Sequence, residues 1–453
     1  MRIELDIPLP VDALADMLGA AKRKEAPTGE IIRYVSTDTR ELGRGDLFFA
    51  LGGDRYDGED FVATAKSLGA YTVSAKITDS DFYVDNTNAA LLDLANAYKR
   101  LLNIRSTVAI TGSVGKTTTK NITLALLSGK FSTHGTYKNL NNEIGVPLTV
   151  LSAKKNTEVL VIEAGMNHKG ELCRISRSIE PDVAVITCIG TAHIGNLGSI
   201  KGIAEAKEEI LCGMKRPYLL APKDDPYITK YSFLKSVSVH DKSADFCLYP
   251  LMPADSGFYG FRSRYNFLER FEIRSNAPHI PTCLAFALSV CSVLNMSDRE
   301  ILDALSELDL DRFEKIHKIG RITVIDDSYN CSPESARSAL NMLKKATTVE
   351  KSAVFGDMLE LGEFSEKLHF ELGEAIADAH LSHLYLFGHY AKDVMAGAVS
   401  RGMSKELIFI NENTDAPEIT AEHIRTHSDG GTVLLKGSRM LKLERILEIL
   451  KEY

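Results

Sequence analysis

The stretch Val108-Ala109-Ile110-Thr111-Gly112-Ser113-Val114-Gly115-Lys116-Thr117-Thr118 decides how this chain reads. It opens on an apolar run that suits a buried strand, turns on two glycines, and becomes helical near Thr117. Glycines let backbone N–H groups face inward around phosphate oxygens, a lysine adds charge at the terminal phosphates, and Thr117 can place its hydroxyl on magnesium. The dipole of the following helix favours the same anion. The loop is Gly-x-x-Gly-Lys-Thr; the commoner form has a glycine where Ile110 stands here. ATP or GTP binding is expected through Gly112, Ser113, Val114, Gly115, Lys116, Thr117 and Thr118. The alternative is a plain strand-to-helix turn with a solvated lysine.

Two further strand ends belong beside this loop. Glu163 closes the run Val159 to Ile162, and His193 follows the run Val183 to Thr187. Ends of adjacent parallel strands open onto one crevice, where a carboxylate and an imidazole can share magnesium with ATP phosphates. Each alone also suits a cap or a solvated side chain. Lys207 is less ordinary: in the helical stretch Ile200 to Leu211 its neighbours at three and four positions are Ile203, Ala204, Ile210 and Leu211, which puts it on the apolar stripe. Desolvation there lowers an amine's pKa, and a neutral amine can react with carbon dioxide to give a carbamate able to hold a cation. A lysine that snorkels from the edge of the stripe is the alternative.

A length of 453 residues exceeds one core, and three α/β domains are expected: residues 1–104, 105–311 and 312–453. The first has short apolar runs around a helical stretch Asp60 to Leu68. The second alternates strands and helices as a mostly parallel sheet does, although 215–275 reads less clearly. The third restarts that alternation at Ile322 to Ile325, Ala353 to Phe355, Leu384 to Phe387, Leu407 to Ile410 and Thr432 to Leu435, and ends in a helix over 438–452. Ser332-Pro333 makes an N-cap and first turn. A net charge of -8 argues against a nucleic-acid surface, yet leaves room for a phosphorylated small substrate. No leader or spanning segment is indicated, and seven scattered cysteines without a C-x-x-C pair suit reduced thiols in a cytoplasm. Neither a disulfide nor a structural zinc is expected.

With Ser36-Thr37-Asp38-Thr39-Arg40, Gly45 to Leu51, Asn139 to Pro147, Glu163 to Asn167, Thr191-Ala192-His193, Asp326 to Asn330, Phe355 to Glu363 and Lys436-Gly437-Ser438-Arg439, the chain resembles the Mur ligases along nearly its whole length, specifically the branch that adds D-alanyl-D-alanine. The resemblance implies an N-terminal UDP-precursor-binding domain, a central P-loop ATPase domain and a C-terminal Rossmann-like domain that brings the dipeptide. It implies ligation of D-alanyl-D-alanine to UDP-N-acetylmuramoyl-tripeptide through an acyl phosphate, with ATP and magnesium, in a cytoplasmic monomer of peptidoglycan precursor synthesis. Lys116, Glu163, His193 and Lys207 would be catalytic, with Thr117, Glu163, His193 and carbamylated Lys207 on metal. Arg312 and Asp327 would contact ATP, although Asp327 also suits a turn cap. Ser36, Asp38, Arg40, Asn142, Asn330, Asp357 and Ser438 would contact the other substrates. The chain departs from the family's His-Asn-x-x-Asn at His279-Ile280-Pro281-Thr282-Cys283, and has Asp311 where a glycine is usual. Two rivals remain at this point: a folylpolyglutamate synthase, which lacks such an N-terminal domain, and an ATP-binding switch without turnover.

Overall fold

Short β-branched runs separated by amphipathic stretches bury both faces only when helices cover the strands, and this chain does so three times in succession. The computed structural model describes residues 1–22, 29–53, 57–76, 80–253, 257–275, 277–310, 316–411 and 413–452. The first sheet holds β1 (Arg2–Pro10), β2 (Ala21–Lys22), β3 (Ile31–Ser36), β4 (Leu47–Phe49), β5 (Tyr71–Ser74) and β6 (Phe82–Tyr83), ordered β1-β3-β4-β5-β6-β2. Its inner pairings are parallel and both edge pairings antiparallel.

The helix Thr87–Leu101 joins this sheet to the next. Asn86 caps it by accepting from the Ala89 N–H, and Leu91, Leu94, Ala95 and Tyr98 are buried along it. Those residues share one apolar core with Val146, Leu148 and Ile175 of the following unit. Asn96 Nδ2 donates to the Ser178 carbonyl at 2.7 Å, and the Ser178 hydroxyl returns a bond to the Leu92 carbonyl at 2.8 Å. The seam is therefore an apolar core with hydrogen bonds running across it.

The second sheet has nine strands: β7 (Ser106–Thr111), β8 (Thr133–Gly135), β9 (Val159–Glu163), β10 (Val183–Ile186), β11 (Leu219–Pro222), β12 (Leu234–Val239), β13 (Phe246–Pro250), β14 (Phe258–Arg262) and β15 (Phe267–Glu272), in the order β15-β14-β13-β12-β11-β10-β7-β9-β8. Pairing is parallel from β8 to β13 and antiparallel beyond. The obscure segment 215–275 is thus the far half of this sheet. The third sheet holds β16 (Ile316–Ile319), β17 (Ile322–Asp327), β18 (Lys351–Gly356), β19 (His383–Phe387), β20 (Ile408–Asn411) and β21 (Thr432–Lys436), ordered β16-β17-β21-β18-β19-β20, with only the β16 pairing antiparallel among the described residues. No helix among the described residues is long and apolar enough to cross a membrane.

Two expectations need correction. The last helix is not continuous over 438–452: a 3-10 turn covers Arg439–Leu441, Lys442 takes φ +50°, and the α-helix runs only over Glu444–Lys451. The cysteines are not all thiols, because Cys173 and Cys212 are joined, with Cα atoms 5.3 Å apart. They sit on the helix Glu171–Ile179 and just beyond the turn Glu209–Leu211, a pairing of packed segments that spacing of 39 residues gives no means to foresee.

Candidate active site

β7 lies between β10 and β9, so its loop leaves the C-terminal edge of the sheet flanked by Glu163 on one side and Thr187-Cys188 on the other. Gly112 holds φ +144°, and a Cβ there would lie 1.9 Å from Thr187 Oγ1, so no other residue fits. The Thr187 hydroxyl donates to the Val114 carbonyl at 2.5 Å, and Cys188 accepts the Ser113 N–H on its carbonyl at 3.0 Å. Lys116 opens the helix Lys116–Leu127, and its ammonium donates to the Gly112 carbonyl at 2.8 Å. The first-turn N–H groups of this helix, those of Lys116, Thr117 and Thr118, lack intrahelical acceptors by geometry and face the loop's anion position.

Glu163 is 1 % exposed. Its Oε1 accepts from Asn141 Nδ2 at 2.8 Å, while Oε2 is buried without a hydrogen bond among the described residues. A buried carboxylate oxygen left without a partner is costly unless a cation or ligand completes it. The neighbouring Asn142, expected on substrate, caps a turn with its side-chain oxygen, which accepts from Ile144 and Gly145 N–H groups. Asn141 was not singled out from the sequence, and no periodicity separates two adjacent asparagines in a loop.

Lys207, in the helix Ile200–Glu208, is 2 % exposed, which settles it as buried rather than snorkelling. Burial first, then the Lys116 ammonium, lowers its amine to about 7. Lys116 of the phosphate loop and Cys188 beside it are the groups whose charge acts on this amine. His193 has φ +67°, and its Nδ1 lies against the Glu360 carboxylate from the third sheet's side. That imidazole holds the Glu360 carboxyl below its ordinary range. The arrangement leaves Nε2 as the ring atom open to a cation. Among the described residues no three His, Cys, Asp or Glu side chains converge as a metal cage. Magnesium needs none, since one or two carboxylates and substrate phosphates commonly suffice.

Across the cleft stand residues of the third sheet. A cavity of about 120 Å³ is lined by Thr118 and His279 from one side and Ile325, Asp326, Asp327 and Met342 from the other. Asp327 pairs with buried Lys436 at 2.9 Å, so it is anchored rather than a mere turn cap. Tyr329 feels the charge of Glu163, and burial raises its phenol. Asp357 gives both carboxylate oxygens to the N–H groups of His389 and Tyr390, and the Ser438 hydroxyl accepts the Leu359 N–H at 3.0 Å; both shape this face through the backbone. Asn330 is exposed at the mouth and accepts the Cys331 N–H. Arg312 lies outside the described residues. At the unusual His279-to-Cys283 segment, Ile280 is in the core and the Cys283 thiol sits 3.8 Å from the Gly115 carbonyl, beneath the loop, where burial pushes it up to about 11. In the first sheet, Ser36 is buried with its hydroxyl on the Asp38 carbonyl, and Arg40 forks onto Asp38, whose carboxyl those bonds hold well below its ordinary range. Thr191, Glu334 and Glu360 were not singled out as site residues from the sequence; only their meeting across 143 or more positions reveals them.

Residues 110–245 match the Mur ligase middle domain, and 311–439 match the Mur ligase, glutamate ligase domain. A UDP-N-acetylmuramoyl-tripeptide--D-alanyl-D-alanine ligase of Bacillus subtilis (strain 168) is 33% identical over 98% of each chain. MurF from Acinetobacter baumannii superposes with TM-score 0.87 at 27% identity over 100% of both chains. MurF ligase from Thermotoga maritima in complex with ADP does so with TM-score 0.79 at 29% identity, over 92% of this chain and 97% of that one. With its phosphate loop, its buried Lys207 and Glu163 and its three-domain architecture, the chain belongs to the Mur ligase family, in the MurF branch.

Proposed function

We infer that this protein is an ATP-dependent ligase that joins D-alanyl-D-alanine to UDP-N-acetylmuramoyl-tripeptide, giving the pentapeptide precursor, ADP and phosphate. The observation that carries the reading is the gathering of Lys116, Lys207 and Glu163 around one loop at a sheet edge, in a chain similar over nearly its full length to ligases of that name. A terminal carboxylate is a poor electrophile. One of its oxygens attacks the γ-phosphorus of ATP and ADP leaves; the dipeptide amine then attacks the acyl carbon, an amide forms, and phosphate departs with the carboxylate oxygen. Both steps gather negative charge, which Lys116 and the loop amides are placed to offset.

The residues fit magnesium: Glu163 Oε2 lacks a partner among the described residues, and Thr117, His193 and a Lys207 carbamate would complete its surroundings. When bound, the ion neutralises charge on the phosphoryl oxygens. Lys207 near neutrality supplies the unprotonated amine a carbamate requires. Residues 105–311 would carry ATP, with Asp327 and Arg312 of 312–453 closing over it and Asn330, Asp357 and Ser438 shaping the dipeptide pocket. Residues 1–104 would hold the UDP precursor, with Arg40 near its phosphates and Ser36 and Asp38 fixing that turn. The enzyme would act as a cytoplasmic monomer.

The test is phosphate release from ATP and magnesium with UDP-MurNAc-tripeptide, with and without D-Ala-D-Ala, beside Lys116→Ala. Release that requires both substrates and disappears in the variant is expected. Release indifferent to the substrates, or none from folded protein, would return the chain to the switch.

A further inference from the structure

The segment that follows β10 is gripped from two sides. Toward the phosphate loop, the Cys188 carbonyl takes the Ser113 N–H at 3.0 Å, and the Gly190 N–H donates to the Ser113 hydroxyl at 2.8 Å. Toward the third sheet, Thr191 donates both its N–H and its hydroxyl to Glu334 Oε1, at 2.8 and 2.9 Å. Glu334 stands in the first turn of the helix Pro333–Lys345. Its carboxylate lies directly on Gly190, where a Cβ would come within 2.8 Å of the carboxyl carbon. Oε2 is buried without a hydrogen bond among the described residues. A carboxylate is costly to bury, and here two charge-assisted bonds from one residue of another domain are what offset that cost.

We propose that Glu334 is a positioning residue: when the C-terminal sheet docks, it sets the phosphate loop through Thr191, Gly190 and Ser113. Without Glu334 the Thr191 N–H and hydroxyl turn to water, the 188–191 backbone loses its outer anchor, and Ser113 loses a fixed donor. The loop amides then spread over more arrangements, and each bound phosphate must order them again. Coupling of this kind is reciprocal, so nucleotide in the loop favours docking by the same factor. The inference rests on the ligase reading for its effect on turnover, whereas its effect on nucleotide affinity stands apart from that reading.

The experiment is a calorimetric titration of the full chain with ADP and magnesium, for wild type, E334A, E334Q, S113A and the double variant E334A/S113A. E334A should weaken ADP about tenfold, the scale of a lost charge-assisted bond. E334Q, whose amide oxygen can accept both Thr191 bonds, should recover most of that loss. In the S113A background, E334A should cost nothing further, because the link is already cut. Wild-type affinity in E334A, or losses that simply add in the double variant, would overturn the proposal. Should E334A not fold, T191V removes one of the two bonds and must show the same dependence on Ser113, or the proposal fails. A wild-type chain that binds ADP but releases no phosphate would sink the ligase reading while leaving this result intact.

Discussion

Lys207 carries a stability cost that its chemistry explains. Its amine is held near 7 when folded and returns to 10.5 when the chain unfolds. Between those values the unfolded chain binds the extra proton, so this residue makes stability rise with pH, and its penalty is complete below 7 and gone above 10.5. Methionine has similar bulk, no charge and an adaptable stem. Lys207→Met should therefore melt above wild type at pH 7, with the gap closing as pH approaches 10, while ligase turnover is lost. Parallel melting curves across that range would mean that Lys207 is not held near neutrality. Asn141 teaches a related lesson, since which asparagine reaches Glu163 depends on how a loop folds back and not on its composition.

The helix that delivers Glu334 starts as its sequence promises. Ser332 accepts the Ser335 N–H while the Ser335 hydroxyl accepts the Ser332 N–H, and Pro333 fills the first helical position. Ser332→Ala should cost about 1 kcal/mol, read as a lowered melting temperature. No measurable loss would show that Glu334 and its Thr191 bonds hold this turn without the cap. Elements with a steep local pattern were legible in this way: β9, β10 and β21 each carry an uninterrupted apolar run and are buried throughout, and the loop between Ile110 and Lys116 has few other uses. Those that depend on distant partners were not. β12 is mostly half-exposed and β15 buries only Leu268 and Phe271, three positions apart, so neither stands out until its neighbours are in place. The break at Lys442 is equally silent, because a lysine in the left-handed region leaves no mark in the apolar spacing. Lys207 was visible as an anomaly on a stripe, yet its burial and its nearness to Lys116 come from tertiary packing alone.

At the scale of the molecule, one apolar core runs through all three sheets, from Leu91 and Tyr98 through Ile162 and Ile186 to Ile325, Leu340 and Phe355. The C-terminal sheet also meets the central one through backbone: the Gly195 N–H donates to the Glu360 carbonyl at 3.0 Å, and a Cβ at Gly195 would fall 2.5 Å from the Gly362 nitrogen. Gly195→Ala should hold the two apart, enlarging the radius of gyration in solution scattering and lowering turnover roughly a hundredfold, as a displacement near 1 Å at reacting groups can. An active variant of unchanged size would mean that this contact is not part of the working arrangement. The other seam, along the helix Thr87–Leu101, is a shared core whose polar groups bond across it. Trading the first hundred residues between relatives would bare the partners of Leu91, Leu94, Ala95 and Tyr98 to water, so this part of the molecule is expected to vary by point substitution within a fixed frame.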